Sequence, residues 1–419
     1  MIDLIKYSGL LKVATQRHYA FDTSFIQLFE NKLNWGILSR NDQIIWDSKT
    51  VDVYSTQINW DHFCQSQSTY LTLELLERHE QKIHWGRLLH NPRFRFDDKV
   101  IVKFSNHWDW HWLSKRADIH FTENLIQQCK SYWNWTQLST NPSLPWSIEF
   151  IEKYESLWDW KHLARNTGIA WNRETMIWFA NKFAEHHQDE SVWYAWASNS
   201  GLPWTIELVE EFIVNDPQCF HRLSGNPNLP WSIELLEKYK EQWDWTELTL
   251  NEGLPWSEEL IARFENEFEY GNFQQFTLGG NPAIPWTIES IARFEHVNFG
   301  DDGLSGNRNL PWSIELIDTF LDRWNWRSLV FNSGVHWNLE MAKRYEKYLI
   351  PDNNRKYFFN IFLNTSTQWT WEFLDHFDDW YGPTIWSEES NFYVTEELWN
   401  TLFKPLVTDD LVIELFKQG

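Results

Sequence analysis

Cysteine is scarce in this chain: three among 419 residues, Cys64, Cys129 and Cys219, isolated and odd in number. A disulfide scaffold needs paired, clustered cysteines, so that class is excluded and a reducing, cytoplasmic setting is expected. Long apolar runs are missing as well; none approaches the roughly twenty residues that cross a bilayer. The opening residues Met1 to Lys6 hold no basic stretch followed by an apolar one, so no leader is read there. Positive charge is in short supply, with 36 Lys and Arg against 59 Asp and Glu and a net charge of −23. Such a balance offers no long-range attraction to nucleic acid or to an anionic membrane, and neither is expected as a partner.

What the chain has in excess is aromatic mass, with 31 Trp and 29 Phe. These residues fall into a repeat. Trp35, Trp60, Trp85, Trp110, Trp135 and Trp160 follow one another at a spacing of 25 residues. A second register keeps the same period through Phe21, Trp46, Leu71, Phe96, Phe121, Trp146 and Trp171. Beyond Trp171 the period loosens, and the unit returns at Trp204, Trp231, Trp256, Trp286, Trp312, Trp337 and Trp369. Polar insertions near 184–190, 267–272 and 351–355 separate these later copies and read as loops.

One unit is clearest between Asn141 and Asn166. Trp146, Phe150, Ile151 and Tyr154 share one face at helical period. Ser147 suits an N-cap, with Trp146 before it as one half of a hydrophobic staple closed by Ile151. A second, shorter helix is expected from an Asp159 cap through Trp160 and Leu163. The fold expected is therefore an all-α, right-handed solenoid of about 14 repeats, each a longer α-helix and a short α or 3-10 helix. Residues 1–20 read as an N-terminal half-repeat cap, 21–384 as the continuous array, and 385–419 as C-terminal capping helices.

The run Leu223-Ser-Gly-Asn-Pro-Asn-Leu-Pro230 is similar to a leucine-rich repeat, but the apolar residues before the Asn lie three and six back. Strands need alternation of two, so that architecture is rejected. The string Asn-Pro-x-x-Pro at Asn141 to Pro145, Asn226 to Pro230 and Asn281 to Pro285 resembles the leucine-rich variant repeats. Those units alternate an α-helix with a 3-10-like helix. This chain sets Trp where that family has Leu, Val or Ala, and lacks the clustered cysteines of an iron–sulfur module. The resemblance implies a superhelical solenoid and no particular activity.

No catalytic constellation is found, and no enzyme, cofactor or metal is expected. Cys64 has no identifiable base partner, so no nucleophile is expected there. His186, His187, Asp189 and Glu190 are metal-capable, but no further ligand can be placed by spacing. Glu149, Glu152 and Glu155 read as a solvated helix face. The recurring Asn residues, from Asn41 to Asn364, read as a buried amide ladder serving turn backbone in their own or the next unit. The regularly spaced Trp residues read as packing between units, with Trp112 out of register and the best exposed one.

The informative variation lies between the fixed points of the short helices. Arg40, His62, Arg87, His90, His111, Lys115, Lys161, His162 and Arg165 make a basic row on an acidic chain. With Trp112 they are the candidate partner-binding residues, facing an acidic peptide or a phosphate-bearing partner. The function expected is a non-catalytic protein–protein interaction scaffold. The first alternative is an acidic immunity or inhibitor protein that sequesters a basic toxin or nucleic-acid enzyme. The second is glycan or nucleic-acid binding through exposed Trp.

Overall fold

A computed structural model describes residues 7–66, 71–186, 192–216, 218–269, 277–294, 297–349, 361, 364–381 and 395–417. Every regular element among them is helical, and no strand occurs. The helical repeat expected from the sequence is therefore present, and the strand-bearing alternative is not.

The chain divides into two bodies. One comprises Met1–Asp109 with His336–Gly419, and the other Trp110–Val335. Each is built from the same unit, which residues 141–166 of the second body illustrate. Ser147 caps the helix Ile148–Lys153 by accepting from the Phe150 N–H at 3.1 Å. Phe150, Ile151 and Tyr154 face inward and are buried. Asp159 caps the helix Trp160–Ala164 by accepting from the His162 N–H at 3.1 Å. The same two caps recur as Thr205, Ser232, Ser257, Thr287 and Ser313 before the first helix. Asn34, Asn59, Asn134, Asp244 and Asn325 precede the second.

The two helices of a unit are closer in length than the periodicity predicts: six residues in Ile148–Lys153 and five in Trp160–Ala164. The apolar positions past Lys153 keep their inward direction through a turn. Tyr154 leaves helical geometry at φ −119°, ψ 24°, and the Leu157 N–H closes a turn onto its carbonyl at 2.9 Å. Longer helices occur at Arg173–His186 and Ile206–Asn215. The first of these carries the expected loop residues Ala184 to His186 as helix; the rest of that insertion, with 351–355 and part of 267–272, lies outside the described residues.

Packing between units is tightest along the second helices. In the second body Trp110–Lys115, Trp135–Thr140, Trp160–Ala164 and Val192–Trp196 stack in succession. In the first body Trp60–Gln65 packs on Trp85–Leu89, and the opening helix Ser8–His18 packs on Trp35–Leu38 in the same way. At the other end of the chain, Glu396–Leu398 and Asp409–Lys417 are helical and belong to the same body as that opening helix.

Candidate functional site

The site is best built from what holds the second helices in place. The repeated Asn side chains are buried, none more than 4% exposed. Asn251 shows their bonding. Its Nδ2 donates to the Ser224 carbonyl at 2.7 Å and the Asn226 carbonyl at 3.1 Å, and its Oδ1 accepts from the Gly253 N–H at 2.8 Å. Asn41, Asn91, Asn141, Asn166 and Asn332 do the same. The ladder reaches back to the preceding unit, not forward to the next. Six of the Asn carbonyls also take an indole: Trp256 donates to Asn251 at 2.8 Å, and Trp146, Trp171, Trp204, Trp231 and Trp312 repeat the bond to Asn141, Asn166, Asn199, Asn226 and Asn307.

A second ladder was not foreseen from the sequence. Ser224, two residues before Asn226, donates to the Phe220 carbonyl at 2.7 Å and accepts the Asp244 N–H of the next unit at 2.9 Å. Ser39, Ser114, Ser139 and Ser305 also take a next-unit N–H. Cys64 stands at this position and is buried, which pushes its thiol up to about 11 and makes it a poor nucleophile. Indole rings complete the stack. Trp85 lies on His107 at 4.5 Å, Trp160 on His186 at 4.7 Å, and Trp135 on Tyr154 at 5.3 Å.

With the backbone pinned this way, the intervening side chains of the second helices are left on the surface. In the first body, Arg40, Arg87 and His90 are exposed. Arg40 does not stand alone. Arg17, which sequence reasoning missed, donates to the Arg40 carbonyl, and the Arg40 guanidinium meets His62 Nε2. His62 Nδ1 lies 2.8 Å from the Gly36 carbonyl. A carbonyl can only accept and a guanidinium can only donate, so the proton sits on Nδ1 and the imidazole is neutral. Burial, chiefly, lowers the His62 pKa, and the neighbouring Arg40 and Arg17 charges add to that, against the Gly36 carbonyl and Asp61.

In the second body, Trp112 is 47% exposed. Lys115 Nζ lies 4.6 Å from its ring centre, and the His111 ring meets it edge-on at 5.8 Å. Two units on, the His162 imidazole is 2.9 Å from the Asp159 carboxylate. Burial raises the Asp159 pKa, but the His162 N–H and imidazole outweigh it and the net shift is downward. Arg165 is exposed and Lys161 half-buried. Further along, Arg222 lies 5.0 Å from the ring of Tyr194, and His221 pairs with Asp244 at 2.7 Å. Both pairs join the same face and were missed, because the looser period after Trp171 hides their register. Of the ten expected positions, Arg40, His62, Arg87 and His90 lie in the first body and the other six in the second.

The acidic helix faces are not simply solvated. Lys182 pairs with Glu155 at 3.0 Å, Lys238 with Glu210 at 2.6 Å, Arg263 with Glu237 at 2.6 Å, and Arg78 with Asp52 at 3.0 Å, each joining neighbouring units. His186 lies 3.2 Å from Glu155; His187, Asp189 and Glu190 lie outside the described residues. Among the described residues no group of three or more His, Cys, Asp or Glu is arranged to hold a metal ion. No helix among them is long and apolar enough to cross a membrane. Set against known proteins, the chain matches no family model, no curated protein and no solved structure.

Proposed function

We propose that this protein is a non-catalytic interaction scaffold whose second-helix faces bind an acidic peptide segment of another protein. The observation that carries the reading is the pair of cation-flanked aromatics in the second body, Trp112 with Lys115 and Tyr194 with Arg222. Aromatic and Arg anchors on a rigid support are the usual seat of binding energy. The support here is the Asn and Ser ladder, which costs the exposed positions nothing. Cations gather on this face although the chain carries a net charge of −23. Some carboxylates of the first-helix faces, by contrast, meet cations of neighbouring units and serve the stacking. Three free, buried thiols fit a reducing cytoplasm.

The test is fluorescence anisotropy of labelled Glu- and Asp-rich peptides against the wild-type chain and a Lys115→Glu, Lys161→Glu, Arg165→Glu variant. Binding weakened at least tenfold by the reversal, with unchanged circular dichroism, supports the proposal. Equal binding by the two chains, or preference for basic peptides, removes it.

A further inference from the structure

The opening and closing segments of the chain meet within the first body, and they meet in two different ways. The inner contact is closely packed. Trp399, Leu402 and Phe403 are buried, His18 stacks on Trp399 at 5.7 Å, and Tyr7 donates to Asp375 at 2.5 Å while its ring lies 5.5 Å from Trp371. The outer contact is a single amphipathic helix, Asp409–Lys417, joined to the rest by the short link 404–408. It buries Val412 and Phe416, one helical turn apart. Phe416 sits among Phe21, Phe25 and Phe29 at 6.1, 5.6 and 6.0 Å. Ties at the rim include Tyr19 to Asp409, Lys32 to the Lys417 carbonyl at 3.1 Å, and Lys12 5.5 Å from the Phe416 ring. A cleft of about 380 Å³ stays open along this seam, between Phe25 and Leu28 on one side and Val412 and Ile413 on the other.

We infer that the face formed by Ser8–His18 and Thr23–Phe29 is a helix-docking site, that the C-terminal helix occupies it as a displaceable strap, and that the partner displacing it is an acidic amphipathic helix from another protein. The chain's own helix states the chemistry required. Two apolar anchors four residues apart enter the Phe-lined face, in the manner of helix-in-groove recognition. Asp409, Asp410 and Glu414 ride on the helix, while Lys12 and Lys32 flank the face. An open cleft beside a two-anchor contact leaves apolar surface that a longer or bulkier helix covers better. This face is separate from the cation-flanked aromatics of the second body, so either reading stands without the other.

The test uses the full chain and a labelled peptide of residues 405–417. In the wild-type chain, amides of 409–417 should exchange with deuterium at least tenfold faster than those of 399–403. Phe416→Ala should leave circular dichroism unchanged and bind the peptide at least tenfold more tightly than wild type, because its own strap is weakened. A peptide carrying Ala at both anchors should not bind. Exchange of 409–417 as slow as that of 399–403 would mark the helix as an integral part of the fold and overturn the inference, even if Phe416→Ala fails to fold. Peptide binding no tighter in Phe416→Ala than in wild type would overturn it too. A concentration-dependent wild-type dimer by light scattering would assign the face to a second copy instead of a separate partner.

Discussion

Replacing Asn251 by Ala should destabilise the second body by about 3 kcal/mol, because one buried side chain makes three hydrogen bonds worth about 1 kcal/mol each. The donors and acceptors left behind are the Ser224 carbonyl, the Asn226 carbonyl and the Gly253 N–H, at 2.7, 3.1 and 2.8 Å in the native chain. The Asn226 carbonyl keeps its bond from Trp231 at 2.9 Å, so its loss is partial. The Ser224 carbonyl and the Gly253 N–H lose a partner at a buried side chain that water reaches poorly. Asn228→Ala is the control: its Nδ2 also bonds a carbonyl of the preceding unit, Ser200 at 2.9 Å, but at the exposed surface, where water replaces it. It should cost no more than about 0.5 kcal/mol. Repeat arrays need not unfold in one step, so a single denaturation midpoint is not the right measure. Hydrogen exchange of the helices on either side, Ile233–Lys238 and Glu258–Arg263, reads the local loss directly. A change of about 3 kcal/mol corresponds to roughly 150-fold faster exchange there. Equal exchange in Asn251→Ala and Asn228→Ala would show that the ladder does not hold units together.

Gly253→Ala should cost about 1–3 kcal/mol by overpacking. A Cβ there would run into the Pro227 carbonyl and come within 2.7 Å of Pro227 Cα, and faster hydrogen exchange of Ile233–Lys238 and Glu258–Arg263 should show the loss. At the equivalent place of another unit Ala283 is native and its N–H still meets Asn281 at 2.9 Å, so Ala283→Gly should change little; a Gly253→Ala chain as stable as wild type refutes the clash. His62 should make stability depend on pH. Its folded pKa lies below the unfolded value of about 6.5, so the folded state favours the neutral ring. The stabilisation is complete above about pH 6.5 and is lost as pH falls through the lower folded value, the unfolded chain taking up its proton first. Protection of the helix Trp60–Gln65 against hydrogen exchange, corrected for intrinsic rates and followed from about pH 7.5 down to about pH 5, should fall less in His62→Gln than in wild type; parallel curves would exclude the ring, with Arg17, Arg40 and Asp61 around it, as the source.

Much of this architecture is legible in the residues, and what is not has physical reasons. The caps at Ser147 and Asp159 follow from a polar side chain before an apolar helical face, and both form. The Asn row reads as buried amides, but not its direction. A period is symmetric: Asn141 is as far in sequence from Arg116 in the unit before as from Asn166 in the unit after, and only the stacking sense decides that Nδ2 reaches the Ser114 and Arg116 carbonyls. Helix length was overread at Tyr154 because anchors at fixed spacing point inward equally well from a helix or from consecutive turns. The Ser ladder left a trace, a hydroxyl two before the Asn at Ser39, Ser139, Ser224 and Ser305 and two before Arg116 at Ser114, yet a small residue there has no meaning until the next unit's N–H is in place.

The face proposed to bind stands out in the sequence for the opposite reason. The ladders use the backbone, the Asn, the Ser and the paired indoles, and ask nothing of the residues between them. Positions that the ladders do not use vary from unit to unit: the place held by His62, whose Nδ1 meets the Gly36 carbonyl, is held by Arg87, Trp112, Gln137 and His162 in those that follow. Residue identity there carries little information about folding and is open to selection by a partner. The carboxylates of the first helices differ, since Glu155, Glu210 and Glu237 each meet a cation of the next unit and so answer partly to stacking. Charge reversal at the second-helix positions should therefore act on binding with little effect on stability, and reversal at those glutamates should act on both.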